Sequence, residues 1–211
     1  GETFAVTCNH VTSTGEEIYG GPEWLEKPQA PADPGTGIPP VKLIDASRRL
    51  DLALLEELPS KTAVTYDLER SGSISGELLN AQKGTAAFIH GFWAKKAKRE
   101  VYPDGLLYLE APYYSAIGPL SQVRSDELVG DFAERNLLYK NKQEFRHLRD
   151  VEPTGGRRNL SGISGSGLWM LQEVGPVLVG IVLGRKESAG NTHLIRATPV
   201  WELLNMVERA L

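Results

Sequence analysis

The chain has 211 residues, 41% of them hydrophobic and 24% charged, a balance that fits a single globule able to bury a substantial core. A formal net charge of −4 excludes a global electrostatic pull toward nucleic acid. No apolar run reaches the roughly 18 to 20 residues that a bilayer crossing needs, so no membrane segment is expected. The single cysteine, Cys8, excludes an intrachain disulfide and suits a reducing, cytoplasmic compartment.

Short apolar runs separated by turn residues organise most of the chain and predict an all-β class. Phe4-Ala5-Val6-Thr7 alternates as a strand does and leads into a loop carrying Cys8, Asn9 and His10. Histidine, with an unperturbed pKa of about 6.5, is suited to accept a proton from a weak nucleophile, although a lone histidine at a strand end is usually a surface residue. Cys8 reads as a buried small residue, because neighbours at i and i+2 on a strand seldom bring their tips into nucleophile geometry. Pro28 to Pro40 holds five prolines and two glycines and reads as an irregular loop. Val41 to Ile44 and Leu50 to Leu55 are predicted strands. Within the second, Asp51 precedes Leu52-Ala53-Leu54-Leu55, a run apolar enough for burial, where a carboxylate needs a specific hydrogen-bond donor. An imidazole N–H supplies one. Asp45 is the weaker rival, lacking such a run behind it.

Further on, Ala86 to Ile89, Leu106 to Leu109, Gly167 to Leu171 and Val177 to Leu183 are the clearest remaining strands. Lys95-Lys96-Ala97-Lys98-Arg99 is a local basic run, read as solvated loop because Glu100 follows at once. Between Ser125 and Arg149, the spacing of Leu128, Phe132 and Leu138 permits a helix. Leu160 to Gly167 packs glycines and serines between two apolar segments, and its centre reads Gly162-Ile163-Ser164-Gly165-Ser166. A plain loop has the same composition. An attacking serine, however, also needs a tight turn and exposed N–H groups for the oxyanion, and glycines at 162 and 165 permit that turn. Ser164 is therefore preferred as nucleophile over Ser161 and Ser166. At the end, Pro199 after Thr198 reads as a first-turn proline after its N-cap, and Trp201, Leu204 and Val207 share one face of a helix running to Leu211.

Taken together, Thr7-Cys8-Asn9-His10-Val11, Asp51-Leu52-Ala53-Leu54-Leu55 and Gly162-Ile163-Ser164-Gly165-Ser166 resemble the motifs of the trypsin-like (chymotrypsin-fold) serine peptidases. The likeness is to the disulfide-free bacterial branch that includes the HtrA/Deg proteases. The chain order His, Asp, Ser matches that family. The resemblance implies two packed six-stranded β-barrels and a C-terminal helix in one peptidase domain: an N-terminal barrel over 1–70, a C-terminal barrel over 76–198 and a helix over 199–211. It implies His10 as general base, Asp51 as its orienting carboxylate, Ser164 as nucleophile, and the backbone N–H groups of Gly162 and Ser164 as oxyanion donors. The Ser125 to Arg149 region corresponds to a strand in the family. Ile163 stands where pancreatic-type relatives carry an aspartate, so activation by N-terminal cleavage is not expected. With the His motif beginning six residues after Gly1, the opening barrel strands lack a counterpart. Either the first barrel is shortened or the chain is part of a longer one, which the absence of an initiator methionine favours.

The same resemblance places Arg158, Leu183, Arg185 and His193 along the substrate pocket, with Arg157 nearby. These cations favour an acidic residue on the acyl side of the cut, since a buried cation needs a partner. The partner class is a protein or peptide substrate, with a regulatory domain or partner restraining the site and no nucleic acid or membrane. No cofactor is implied. The histidines at 10, 90, 147 and 193 show no metal-ligand spacing with cysteine or carboxylate. Two other functions compete. A catalytically silent, peptidase-like binding module normally lacks a triad member, and an α/β-hydrolase esterase needs the order Ser, Asp, His, the reverse of this chain.

Overall fold

Strand periodicity governs the architecture. The computed structural model describes residues 4–9, 43–56, 81–92, 98–101, 107–110, 113–133, 137–141, 144–147, 163–172, 175–187 and 192–211. Its strands are β1 (Phe4–Thr7), β2 (Leu43–Ser47), β3 (Leu52–Glu56), β4 (Ala86–Phe92), β5 (Lys98–Val101), β6 (Leu107–Glu110) and β7 (Tyr113–Val123). Then follow β8 (Leu128–Ala133), β9 (Leu137–Asn141), β10 (Glu144–His147), β11 (Gly167–Gln172), β12 (Gly175–Glu187), β13 (Thr192–Pro199) and a helix, α1 (Val200–Ala210).

Six of these strands close into an antiparallel barrel in the cyclic order β7-β4-β11-β12-β13-β8, the ring completed by the β7–β8 pairing. The 11-residue β7 makes closure possible. One of its edges pairs with β4, while the other is divided between β9 at Tyr113 to Ala116 and β8 at Leu120 to Val123. The β9–β10 pair thus splays away where β8 takes over. Register shifts at Leu120/Gln122, Leu168/Trp169 and Val182/Gly184 supply the local bending that a small barrel requires.

Alternation puts Ala87 and Ile89, Ala116 and Leu120, Leu168 and Met170, and Ile195 and Ala197 inside. Each fully buried leucine, isoleucine or phenylalanine there contributes about 1.5–3 kcal/mol of transfer free energy. Leu50, Leu52 and Leu54 belong to this same core, so the antiparallel three-stranded sheet β1-β3-β2 is fused to the barrel rather than separate from it. Helix α1 seals the join. Val200, Leu203 and Met206 are its buried face, and it packs on β12 and β13 of the barrel and on β2 and β3 of the small sheet.

Three expectations change. In place of two closed barrels, the described residues form one barrel and a three-stranded sheet, with the two-stranded β5–β6 sheet besides. The 125–149 region carries strands β8, β9 and β10 and not the helix that its spacing permits, in keeping with the strand implied by the family likeness. Helix α1 starts at Val200 with extended Pro199 (φ −61°, ψ 148°) as its cap residue and no side-chain cap. Thr198 is not the cap. Its hydroxyl instead donates to the Leu50 carbonyl at 2.7 Å, tying the end of β13 to the turn between β2 and β3. No helix among the described residues is long and apolar enough to cross a membrane.

Candidate active site

Ser164 sits on a tight turn that the sequence requires. The Ser166 N–H donates to the Ile163 carbonyl at 3.0 Å, and Gly165, third of the four turn residues, has φ 85°. A type II turn demands positive φ at that position, which glycine adopts without steric cost. The turn is then fastened to β12, because Gly165 N–H donates to the Val182 carbonyl and Val182 N–H donates to the Ser166 carbonyl, both at 2.8 Å. Ile163, 2% exposed, anchors it in the core. The half-buried Ser164 hydroxyl donates to the Leu183 carbonyl at 2.9 Å. Among the described residues no acceptor takes the Ser164 N–H.

Asp51 closes the turn between β2 and β3. Its φ of 53° places it in the left-handed region, uncommon for a residue with a side chain but several-fold enriched in Asp and Asn. The preceding Leu50 is held on both sides: its N–H donates to Ser47 Oγ at 3.3 Å, and its carbonyl receives Thr198 Oγ1. Asp51 itself accepts the Asn9 N–H on its carbonyl at 3.1 Å.

The segment Thr7-Cys8-Asn9 runs between these two places. The buried Cys8 thiol donates to the Val182 carbonyl at 3.1 Å, alongside the bonds that fasten the Ser164 turn. Thr7 lies so close to Gly165 that a Cβ there would sit 2.9 Å from Thr7 Oγ1. Asn9 reaches Asp51 on the other side. His10, the next residue, lies outside the described residues, as do Gly162, Arg157 and Arg158.

A cavity of about 830 Å³ opens beside Asp51 and Asn9, with Leu183 and Gly184 of β12 also lining it. Gly184 has φ 145°, and a Cβ built on it would stand 3.7 Å from Ser164 Oγ, although Ser164 itself is not among the residues lining the cavity. Arg185 and Arg196 line the cavity from the barrel, and Arg48 and Arg49 line it from the β2–β3 turn. Arg48, Arg49 and Arg196 are not expected there from the sequence. Their one sequence signal is an Arg-Arg pair immediately before Leu50-Asp51, in a turn whose direction the sequence alone does not fix. His193, by contrast, is 2% exposed on β13 opposite Phe132 and does not line the cavity.

Glu127 holds one of these arginines, Arg196. It accepts hydrogen bonds from Arg196, from Lys186 at 3.2 Å and from Gln122 Nε2 at 2.9 Å. Burial raises its carboxyl pKa, but the bonds and charges of Arg196 and Lys186 together outweigh burial and hold it below its ordinary value. Among the described residues, no three His, Cys, Asp or Glu side chains converge as a metal site.

No protein-family model matches the chain, and no curated protein matches it. Among solved structures it is similar to the MamO protease domain from Magnetospirillum magneticum, at 15% identity over 97% of this chain and 84% of that one, with a TM-score of 0.39. An overlap at that level assigns neither fold family nor chemistry.

Proposed function

We propose that the chain is a serine endopeptidase working through His10, Asp51 and Ser164. One observation carries this reading: the segment that delivers His10 is fixed at Asn9 to Asp51 and at Thr7 and Cys8 to the Ser164 turn and the strand behind it. Thr7-Cys8-Asn9 thus links the Asp51 turn to the Ser164 turn, the two places that the proposed base has to bridge. In the proposed reaction Ser164 Oγ attacks the scissile carbonyl carbon while His10 takes the hydroxyl proton. Asp51 accepts the other imidazole N–H, fixing the tautomer and stabilising the imidazolium. The Ser164 N–H, without an acceptor among the described residues, is free to receive the oxyanion, with Gly162 as the second donor. His10 then gives its proton to the leaving amine, and a water activated by the same imidazole hydrolyses the acyl-enzyme. The substrate is a protein or peptide, and its proposed place is the open cavity lined by Asp51 and by Leu183, whose carbonyl holds the Ser164 hydroxyl.

A second reading, a peptidase-like module that binds without cutting, draws on the Ser164 hydroxyl proton being directed to the Leu183 carbonyl at 2.9 Å. Catalysis requires that bond to open. Labelling with a fluorophosphonate separates the two: the native chain is expected to take up one label that Ser164→Ala abolishes. An unlabelled native chain removes the peptidase and leaves the module.

A further inference from the structure

The cavity has a charge opposite to that of the chain. Against a net −4 overall, the described residues that line it include Arg48, Arg49, Arg185 and Arg196 and, among those described residues, one carboxylate, Asp51. Concave walls carrying one sign of charge concentrate the potential inside them.

These guanidinium groups are unequally committed. Arg196 is held by Glu127, and Arg49, 72% exposed, stands 3.7 Å from Glu202 of α1. Arg48 has no carboxylate within bonding distance among the described residues. Arg185, which is not without a partner of its own, directly follows Gly184, the residue that separates it from the carbonyl holding the Ser164 hydroxyl. The cavity thus receives cations from separate elements, Arg48 from the β2–β3 turn and Arg185 from β12, the strand whose Leu183 carbonyl holds the Ser164 hydroxyl.

We propose that this cavity selects acidic peptides, with Arg48 and Arg185 as specificity-determining residues that bind Asp or Glu side chains flanking the scissile bond. The proposal rests on the reading of this cleft as a peptide-binding cleft. Guanidinium presents a planar fork of donors that matches a carboxylate two bonds at a time, and such charge-assisted pairs are roughly twice as strong as neutral ones. A glutamine in the same place has one carbonyl oxygen to offer and no charge. Nucleic acid is the poorer occupant, since tracking a phosphate backbone takes a stripe of cations along a face, and these arginines are gathered in one concavity.

The experiment uses the full chain carrying Ser164→Ala, so that any substrate stays intact, and reads fluorescence anisotropy. The probes are a fluorescein-labelled Ala-Glu-Ala-Glu-Ala-Ala peptide, its glutamine isostere and its lysine counterpart. The glutamate peptide is expected to bind about tenfold tighter than the glutamine peptide, the equivalent of one strong charge-assisted pair. Arg48→Ala or Arg185→Ala removes most of that margin, Arg48→Glu reverses it toward the lysine peptide, and added salt narrows it. Far-ultraviolet circular dichroism checks that each variant is folded.

Equal affinity for the glutamate and glutamine peptides, preference for lysine, no binding of any peptide, or an acid preference that survives both arginine substitutions overturns the proposal. Its fate is separable from that of the peptidase. Acid-selective binding by a chain that takes no fluorophosphonate sinks catalysis and keeps the recognition. Cleavage of glutamate and glutamine peptides at equal kcat/KM does the reverse.

Discussion

The Asn9 N–H donates to the Asp51 carbonyl at 3.1 Å, joining the residue before His10 to the residue that, in the proposed triad, orients it. The bond is made by main-chain atoms, so it survives a change of the Asp51 side chain. Asp51→Asn tests the carboxylate alone, because asparagine also tolerates the φ of 53° and is nearly the same size. Stability is expected to fall by about 1 kcal/mol or less, since Asp51 is half-buried and not without a partner but the substitution keeps its shape. Peptide turnover is expected to fall on the order of 10⁴-fold, because an asparagine amide holds the imidazole in the wrong tautomer for accepting the serine proton. Turnover unaffected by Asp51→Asn removes the aspartate from the mechanism.

Gly165 meets two demands at once, a φ of 85° and an approach to Thr7 that leaves no room for a side chain. Gly165→Ala is expected to cost about 1–3 kcal/mol, since a residue with a Cβ is strained at that φ and the Thr7 hydroxyl must also shift. Urea denaturation reads the loss. Activity should fall further than stability, because the same turn aims the Ser164 hydroxyl and N–H. An alanine variant as stable as the native chain contradicts the turn geometry.

Where the sequence is most legible, one physical period dominates. Gly167 to Leu171 and Val177 to Leu183 alternate or run apolar between glycines, and they form β11 and β12; Trp201, Leu204 and Val207 recur at helical spacing, and they lie on α1. The 125–149 region is ambiguous because Leu128 and Phe132 stand four apart, a spacing that a helix and a strand both place on one face. Gly130 between them carries no side chain to show the alternation. Thr198-Pro199 misleads for another reason. Its hydroxyl finds a tertiary acceptor, the Leu50 carbonyl, and a partner 148 residues away leaves no local trace. The arginine-lined cavity is hidden likewise, since Arg48 and Arg185 become neighbours of one space only after β3 joins the barrel core.

Thr198→Val isolates that tertiary bond. The substitution keeps the shape of a 1% exposed side chain and deletes the hydroxyl, so the buried Leu50 carbonyl loses this donor. The expected cost is about 1–3 kcal/mol, read as a lowered thermal midpoint. Because Leu50 adjoins Asp51, kcat should drop as well, and Thr198→Ser, which restores the hydroxyl, should recover most of it. A Thr198→Ser variant as impaired as Thr198→Val indicates that packing of the methyl group, not the bond, matters there.

Glu127 predicts a pH signature in stability. Its folded pKa lies below the ordinary value of 4.5, held there against burial by Arg196 and Lys186. A carboxyl depressed on folding binds fewer protons in the native state than in the unfolded one, so its stabilisation is fully present above pH 4.5 and is lost as the pH falls through the folded pKa. Glu127→Gln keeps the shape but not the charge, and its denaturation midpoint should sit below that of the native chain at neutral pH, with the gap closing under acid. Because Glu127 is only 14% exposed in its side chain, added salt should narrow the neutral-pH gap less than it would for an exposed pair such as Arg209 and Asp45. A gap that stays constant from neutral to strongly acidic pH assigns the role of Glu127 to packing instead. Releasing Arg196 also adds an uncommitted cation to the cavity wall, so the same variant should bind the glutamate peptide more tightly than its parent.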